Sequence, residues 1–307
     1  DAVRLLAERG SDAMLVAGGT DLFPNMKRRQ FEPKYLVGLS GLRELCGIRN
    51  ESGNIVIGAS TTLTQISQSP NLQSLSTAAS LVSSPQLRNA GTIGGNLCLD
   101  TRCNYYDQTY FWRKAIGFCM KKDGDICLVA PGGSRCWAIS STDCAPVAVA
   151  LDARVRLVGP SGAREIPASA LYRDDGMEYL TKAPNEILTE IILPPADGLR
   201  STYLKLRRRG SIDFPLLGVA AALRVAPSGI VEHARIVLGA IASQPVEATD
   251  AERILIGQKL TPDVIDAAAE AAYKPAKPMD NADASYAWRK KMVRVYVARA
   301  LEELSRQ

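Results

Sequence analysis

Residues 91–96, with the sequence GTIGGN, place three glycines within five positions of one another. Because glycine has no Cβ, such a turn brings backbone N–H groups close to a ligand, and an anion is the group those donors bind best. A second glycine turn, VAGGTD at residues 16–21, closes the apolar run at residues 14–17, which is typical of a buried strand. Neither turn has the spacing of a GxGxxG motif or a GxxxxGK loop. Each alone is compatible with a simple tight turn, whereas the two together predict a site for one diphosphate.

Composition excludes several classes of function. With 46% apolar and 22% charged residues over 307 positions, the chain is long enough for two or three domains with real cores. No apolar run approaches about 18 residues and no leader pattern opens the chain, so we expect no membrane span and no signal peptide. The net charge of +5 is modest, and the basic clusters at residues 27–29 and 207–209 lack interleaved aromatics. We therefore expect neither a nucleic-acid nor a membrane partner.

The chain has seven cysteines and one histidine. Clustered thiols without a secretory leader predict a reducing compartment, and hence a cytoplasmic location, where such thiols bind metal more often than they form disulfides. His233 lies in an alternating run typical of a strand, so neither a histidine-based triad nor a multi-histidine metal centre is expected. Cys46 occupies an apolar-face position and is expected to be a small buried hydrophobe.

Hydrophobic periodicity predicts an α+β protein. Strands at residues 14–17 and 35–37 form a small α/β unit, and a turn at residues 50–53 suggests that the first subdomain covers residues 1–52. Helices beginning near Thr62, a hairpin around residues 159–162 and a strand at residues 187–191 predict a second subdomain over residues 53–195. Strands followed by helices then predict a C-terminal domain over residues 196–307, with an antiparallel sheet.

Three motifs occur in an order that resembles a known family. They are AGGTDL at residues 17–22, SPQLRNAGTIGGN at residues 84–96 and TDCAPVAVALDA at residues 142–153. The chain resembles, over essentially its whole length, the FAD-binding medium subunit of the xanthine dehydrogenase and carbon monoxide dehydrogenase family. The resemblance implies two α/β subdomains forming an FAD-binding (PCMH-type) unit, followed by a C-terminal α+β domain. It implies no catalytic side chain on this chain, because the chemistry belongs to cofactors and a partner.

One segment departs from that family, in which a short loop joins the GGN turn to a helix start bearing an aspartate. Here residues 97–142 separate Asn96 from Asp143, and an inserted loop at about residues 98–140 is rich in cysteine. This insert resembles the β subunit of 4-hydroxybenzoyl-CoA reductase, which holds an additional [4Fe–4S] cluster. Cys98 and Cys144 lie in segments that match the rest of the family, so they are set aside as ligands.

Four cysteines belong to the insert proper, and four is the number that a [4Fe–4S] cluster requires. They are Cys103, Cys119, Cys127 and Cys136, spaced 16, 8 and 9 residues apart. Because no CxxC pair occurs, the spacing alone leaves free thiols, zinc and a cluster equally open. The resemblance favours a [4Fe–4S] cluster held by these four thiolates.

The resemblance also implies that FAD lies between the first two subdomains, with its diphosphate on the two glycine turns. Asp143 is expected to accept hydrogen bonds from the flavin, or alternatively to cap the helix ahead of Pro146. Val82 and Leu188 are placed as apolar contacts of the isoalloxazine. The predicted FAD-binding residues are Val16, Ala17, Gly18, Gly19, Thr20, Asp21, Val82, Thr92, Ile93, Gly94, Gly95, Asn96, Asp143 and Leu188.

The implied assembly is a hetero-oligomer, a dimer of heterotrimers, in which one partner carries molybdenum cofactor and another carries two [2Fe–2S] clusters. In such an enzyme this subunit takes electrons from reduced ferredoxin through [4Fe–4S] and FAD to molybdenum, where 4-hydroxybenzoyl-CoA is reduced to benzoyl-CoA. Basic residues of the insert are expected either to dock an acidic ferredoxin or to form a solvated face. They are Arg113, Lys114, Lys121 and Lys122. Two alternatives remain: an FAD subunit of another molybdenum hydroxylase or dehydrogenase that passes electrons outward, and a zinc-stabilised binding subunit without flavin.

Overall fold

The computed structural model describes residues 1–307, and its first sheet is a pair of parallel strands. The pair consists of β1 (Ala13–Val16) and β2 (Tyr35–Gly38). A parallel pair needs a crossover, and α2 (Leu22–Lys27) lies in the connection while α1 (Ala2–Arg9) packs against both strands. The first glycine turn is therefore held at the end of β1, immediately before α2.

The second sheet is antiparallel and has five strands in the order β3-β4-β7-β5-β6. These are β3 (Ile48–Glu51), β4 (Asn54–Gly58), β5 (Arg154–Gly159), β6 (Gly162–Pro167) and β7 (Ile187–Leu193). The predicted boundary between residues 52 and 53 falls inside the β3–β4 hairpin, whose turn has positive φ at Ser52 and Gly53. Backbone pairing places β3 in this sheet, so the turn at residues 52–53 joins two strands of one sheet, and the subdomain bounds stay a prediction.

Short helices connect β4 to β5 and carry the second glycine turn. They are α3 (Leu63–Ser67), α4 (Ser74–Ser80), α5 (Pro85–Arg88), α6 (Ile93–Leu97), α7 (Tyr110–Ala115) and α8 (Cys144–Ala150). The predicted N-cap at Thr62 is confirmed, because Thr62 and Gln65 form a capping box. Every residue of α8 is buried against the main core, and α7 lies in the insert. The Gly94 N–H donates to the Ala59 carbonyl just after β4, which holds the second glycine turn against the end of that strand.

The C-terminal domain has a four-stranded antiparallel sheet in the order β11-β10-β9-β8, as the strand patterns predict. The strands are β8 (Leu199–Leu206), β9 (Leu217–Val225), β10 (Val231–Gly239) and β11 (Val246–Glu247), followed by α9 (Thr249–Leu255), α10 (Pro262–Tyr273) and α11 (Tyr286–Ser305). Leu223, Ile236 and Val297 belong to the core between sheet and helices. His233 lies in β10, which confirms its assignment to a strand. No helix combines the length and the apolar character that crossing a membrane would need.

Short 3-10 helices complete the fold. They are Gly10–Asp12, Arg43–Leu45, Pro70–Leu72 and Ala168–Leu171. The expectation that Cys46 is buried is wrong, since its side chain is exposed. The 3-10 turn directs Leu45 into the core instead, which leaves the next residue facing solvent.

Candidate functional site

The two glycine turns touch each other. A Cβ built on Gly18 would lie 2.0 Å from the carbonyl oxygen of Ala90 and 3.0 Å from the Cα of Gly91. A Cβ on Gly94 would lie 2.7 Å from the Cβ of Ala59. Gly19 has φ of 69°, a backbone conformation that glycine adopts without strain. Glycine is therefore required for the close approach of the two turns as well as for their own shape.

A cavity of about 290 Å³ opens beside the paired turns and is lined by residues of both turns and of several loops. Most of the predicted FAD-binding residues line it: Val16, Ala17, Gly18, Gly19, Thr20, Asp21, Val82, Thr92, Gly94, Gly95, Asn96 and Leu188. Ile93 does not, because its side chain is fully buried in the main core. The Thr92 hydroxyl accepts the Gly95 N–H at 3.1 Å and caps α6, so the glycine turn continues directly into a helix start.

Asp143 also lies outside the cavity lining, and its carboxylate is already engaged. One oxygen accepts from the Tyr203 hydroxyl at 2.8 Å and the other from the Lys205 ammonium at 2.9 Å. Burial raises the pKa of Asp143, and Lys205 opposes that rise. Asp143 stands at the N-cap position of α8 but its side chain makes no capping hydrogen bond, so the capping alternative is wrong. Its contact with flavin stays a prediction.

Asn96 and Thr142, rather than Asp143, accept the backbone N–H groups at the start of α8. Asn96 Oδ1 accepts from the Thr142 hydroxyl at 2.5 Å and from the Cys144 N–H at 3.1 Å, and the Thr142 hydroxyl in turn accepts the Ala145 N–H. The last residue of the second glycine turn is thereby tied to the start of α8. This contact joins the second and third sequence motifs across the insert.

Sequence reasoning missed several cavity-lining side chains that come from scattered loops. Among them are Ser60, Ser83, Asp100, Tyr179, Lys182 and Phe214. Tyr179 and Lys182 precede β7, and Phe214 reaches in from the loop between β8 and β9. No periodic pattern marks such loop residues, because only the tertiary fold brings them to one cavity.

The four insert cysteines line a single small pocket with aromatic and apolar neighbours. They are Cys103, Cys119, Cys127 and Cys136, each between 5% and 8% exposed. The pocket holds about 10 Å³, and no three His, Cys, Asp or Glu side chains of the chain surround a position for one metal ion. Burial raises the pKa of the Cys103 thiol to about 12 and that of Cys136 to about 11.

Two of the four basic residues of the predicted docking surface, Arg113 and Lys121, have buried side chains. Arg113 is 1% exposed and donates to the backbone carbonyls of Arg28 and Arg29, which holds the insert against α2. The Lys121 side chain is 6% exposed and pairs with Asp100 at 2.8 Å. Of the four residues, Lys114 is exposed and Lys122 is half-buried, so only these two remain available to a partner.

The fold and the paired-turn cavity define an FAD-binding subunit of the molybdopterin dehydrogenase class. Residues 1–196 match the family described as the FAD binding domain in molybdopterin dehydrogenase, and residues 201–304 match the CO dehydrogenase flavoprotein C-terminal domain. The chain belongs to the family of FAD-binding medium subunits that includes those of xanthine dehydrogenase and carbon monoxide dehydrogenase. It is thus an FAD-binding subunit of a family of oxidoreductases.

Individual relatives agree with this assignment over nearly the whole chain. The medium chain of carbon monoxide dehydrogenase from Hydrogenophaga pseudoflava is 32% identical over 306 residues, covering 98% of this chain and 92% of the relative. The xanthine dehydrogenase FAD-binding subunit of Escherichia coli O157:H7 is 26% identical, covering 99% and 92%. A solved structure of carbon monoxide dehydrogenase from Hydrogenophaga pseudoflava superposes with a TM-score of 0.81 at 31% identity, covering 99% and 93%.

Proposed function

We propose that this chain is the FAD and [4Fe–4S] electron-transfer subunit of a molybdenum-containing enzyme similar to 4-hydroxybenzoyl-CoA reductase. The observation that carries the proposal is the gathering of four cysteines, distant in sequence, around one pocket of the insert. The cysteines are free thiols, and no histidine or carboxylate lines the pocket. A set made only of thiols suits iron–sulfur clusters, which Cys thiolates hold.

The chemistry of the donor set fits a [4Fe–4S] cluster, whereas the space between the thiols has to widen. About 10 Å³ is room for roughly one water molecule, so the loops carrying the cysteines must open to admit a cube of four irons and four sulfides. Gly117, Gly124 and Gly133 lie in those loops, and Gly117 has φ of 80°. A Cys103 thiol with a raised pKa must also lose its proton on ligation, which makes assembly dependent on pH.

FAD would be held by the paired glycine turns, with the N-terminus of α6 behind the second turn. The backbone N–H group of Gly19 would donate to its diphosphate, whereas the N–H groups of Gly94 and Gly95 already donate to the Ala59 carbonyl and the Thr92 hydroxyl. Val82 and Leu188 would contact the ring system. When bound, FAD and the cluster would supply electron transfer between an external donor and the molybdenum-bearing partner. Arg102 pairs with Asp21 of the first turn, so the insert is anchored to the flavin side of the subunit.

The proposed overall reaction consumes two electrons and two protons. They convert 4-hydroxybenzoyl-CoA to benzoyl-CoA and water on a partner subunit that carries molybdenum cofactor, while another partner carries two [2Fe–2S] clusters. Reduced ferredoxin is the proposed electron donor, and we propose a dimer of heterotrimers as the assembly. The second candidate is a subunit that passes electrons outward, and the carbon monoxide dehydrogenase relatives favour it.

The test is iron and sulfide analysis with visible and EPR spectroscopy of the purified complex. We expect flavin bands with a broad iron–sulfur absorption, and about four irons above those of the [2Fe–2S] partner. Serine at Cys103, Cys119, Cys127 or Cys136 should each remove those irons and block reduction by ferredoxin. Cys46→Ser is the matched control, because that exposed thiol lies outside the pocket.

Three results would separate the alternatives. Flavin bands without the additional irons would favour a subunit that passes electrons outward, and zinc without flavin would favour a binding subunit. Loss of the irons in Cys98→Ser or Cys144→Ser, with the four insert cysteines dispensable, would overturn the choice of ligands. Activity of the complex with a series of aryl-CoA thioesters then identifies the substrate.

A further inference from the structure

One residue in the wall of the paired-turn cavity has a strained backbone. Ser83 has φ of 46°, in the left-handed region that favours glycine. Ten non-glycine residues of the chain have positive φ, and Ser83 is the only one of them that lines this cavity. A glycine at this position would relieve the strain, but it would also remove the hydroxyl. Strain of this kind persists where the surrounding structure holds a residue in place, and it clusters at ligand sites.

The backbone of residues 81–83 is fixed by donors that lie outside the cavity lining. Each of its three carbonyl groups accepts a hydrogen bond from elsewhere in the chain. In the order of the carbonyls, the donors are Lys205 Nζ at 2.9 Å, Arg88 Nη1 at 2.7 Å, and the Ser211 hydroxyl and Ile212 N–H, both at 3.1 Å. Lys205 is itself held, because its side chain is 1% exposed and pairs with Asp143. The segment therefore cannot rotate to relieve the strain at Ser83.

Ser83 keeps two hydrogen-bond donors free. Its carbonyl is the only one of its polar groups that forms a hydrogen bond in the chain, whereas its N–H and its hydroxyl form none. The residue is half-buried rather than sealed in the core, so a molecule bound in the cavity can reach it. A serine hydroxyl can rotate to donate to whichever acceptor lies beside it.

The neighbours of Ser83 give this part of the wall an apolar and aromatic character. Val82 precedes it in the chain, and the loop that donates to the Ser83 carbonyl also carries Phe214 into the cavity lining, two residues after Ile212. Such a wall suits a planar isoalloxazine ring better than a charged diphosphate, which needs donors such as the Gly19 N–H. The ring has nitrogen and carbonyl acceptors on its edge, and hydrogen bonds to them tune its electronics.

We propose that the Ser83 hydroxyl donates a hydrogen bond to the isoalloxazine ring of bound FAD and thereby favours the reduced flavin. The inference rests on the flavin half of the proposed function and is independent of the cysteine pocket. Reduction adds electron density to the ring, so its acceptor atoms bind a donor more strongly in the reduced form. Because residues 81–83 are already fixed, little freedom is lost when the hydrogen bond forms.

The test is redox titration of the purified complex, with the flavin followed by visible absorption. In Ser83→Ala the ratio of reduced to oxidised flavin at a fixed potential should fall about threefold to tenfold, because hydrogen bonds to charged acceptors are stronger than those to neutral ones. Ser83→Gly also lacks the hydroxyl but relieves the strain, so it should show the same fall while resisting urea better than Ser83→Ala. Ser52→Ala is the matched control, since Ser52 has φ of 50° but is exposed outside the cavity lining.

Titration of the flavin-stripped complex with FAD gives a second readout, and both Ser83 variants should bind FAD several-fold more weakly than the wild type. An unchanged ratio of reduced to oxidised flavin in both variants would overturn the proposal, even with weaker binding, because the hydroxyl would then contact another part of FAD. A fall in Ser83→Ala that is absent in Ser83→Gly would assign the effect to the backbone and would also overturn it. A wild-type complex that binds no FAD would instead overturn the flavin half of the proposed function, and the inference with it.

Discussion

Replacing Gly18 by alanine is the most direct test of the paired-turn cavity. The added Cβ would lie 2.0 Å from the Ala90 carbonyl oxygen and 2.6 Å from its carbon, where ordinary contact begins near 3.4 Å. The two turns must therefore separate by about 1 Å, and overpacking of this kind costs about 1–3 kcal/mol. A shift of that size moves the donors on one turn away from a diphosphate that must contact both turns.

We expect FAD affinity of the Gly18→Ala chain to fall about tenfold to a hundredfold, which is the range that such an energy spans. The assay is titration of flavin-stripped protein with FAD, followed by fluorescence quenching. Gly95→Ala should show a smaller loss, because its nearest atom is the Thr92 hydroxyl oxygen at 3.1 Å, and Gly41→Ala is the control, with nothing within 4 Å. Wild-type affinity in a folded Gly18→Ala chain would refute a diphosphate shared by both turns.

Three further predictions concern contacts that support the site. Lys205→Met leaves the Asp143 carboxylate buried without its cation, so the free energy of unfolding at neutral pH should fall by about 3–5 kcal/mol in urea denaturation. Burial raises the folded-state pKa of Asp143, so this deficit should shrink as the pH falls and the carboxyl takes up a proton; a pH-independent deficit would contradict it. Arg102→Met removes the ion pair with Asp21 on the first glycine turn and should weaken FAD binding several-fold in the fluorescence titration. Unchanged FAD affinity would contradict this prediction. Thr62→Ala removes the capping box of α3 and should cost about 1 kcal/mol in unfolding free energy, while FAD affinity stays near the wild-type value.

Local chemistry made several elements predictable. The apolar run before the first glycine turn is β1, and Thr261 followed by Pro262 starts α10 as a cap with proline in the first turn. The antiparallel C-terminal sheet follows from alternating strands separated by short turns. These features are encoded by neighbours within a few residues, so a single sequence is sufficient to identify them.

The hairpin boundary and the exposure of Cys46 were not predictable in the same way. The turn at residues 52–53 looks like a linker locally, and only the pairing of β4 with β7, more than a hundred residues later, assigns the hairpin to the second sheet. Cys46 follows an apolar pattern, but a 3-10 turn shifts which side chain faces the core. Both differences arise from long-range packing overriding a local signal.

The candidate site also combines residues that local motifs predict with residues whose positions depend on tertiary packing. Twelve of the fourteen predicted FAD-binding residues line the cavity. Ten of them belong to the two glycine motifs, which carry their own backbone requirement. Ile93 belongs to the same motif, but the helical geometry of α6 turns its side chain into the core. Asp143 is drawn to Lys205 and Tyr203, which lie on β8 and reach it only when the C-terminal domain packs against α8.

By itself, the sequence determined the two glycine turns, the order of strands and helices, the family and the four cysteines of the insert. Those features depend on residue type and on spacing along the chain, which the sequence states directly. Only the tertiary structure decided that the turns touch at Gly18, that the four cysteines share a pocket, and that Lys121 of that pocket pairs with Asp100 of the cavity beside the turns. Contacts of this kind depend on which distant segments the core brings within a few ångströms, and burial then decides which charges must find a partner.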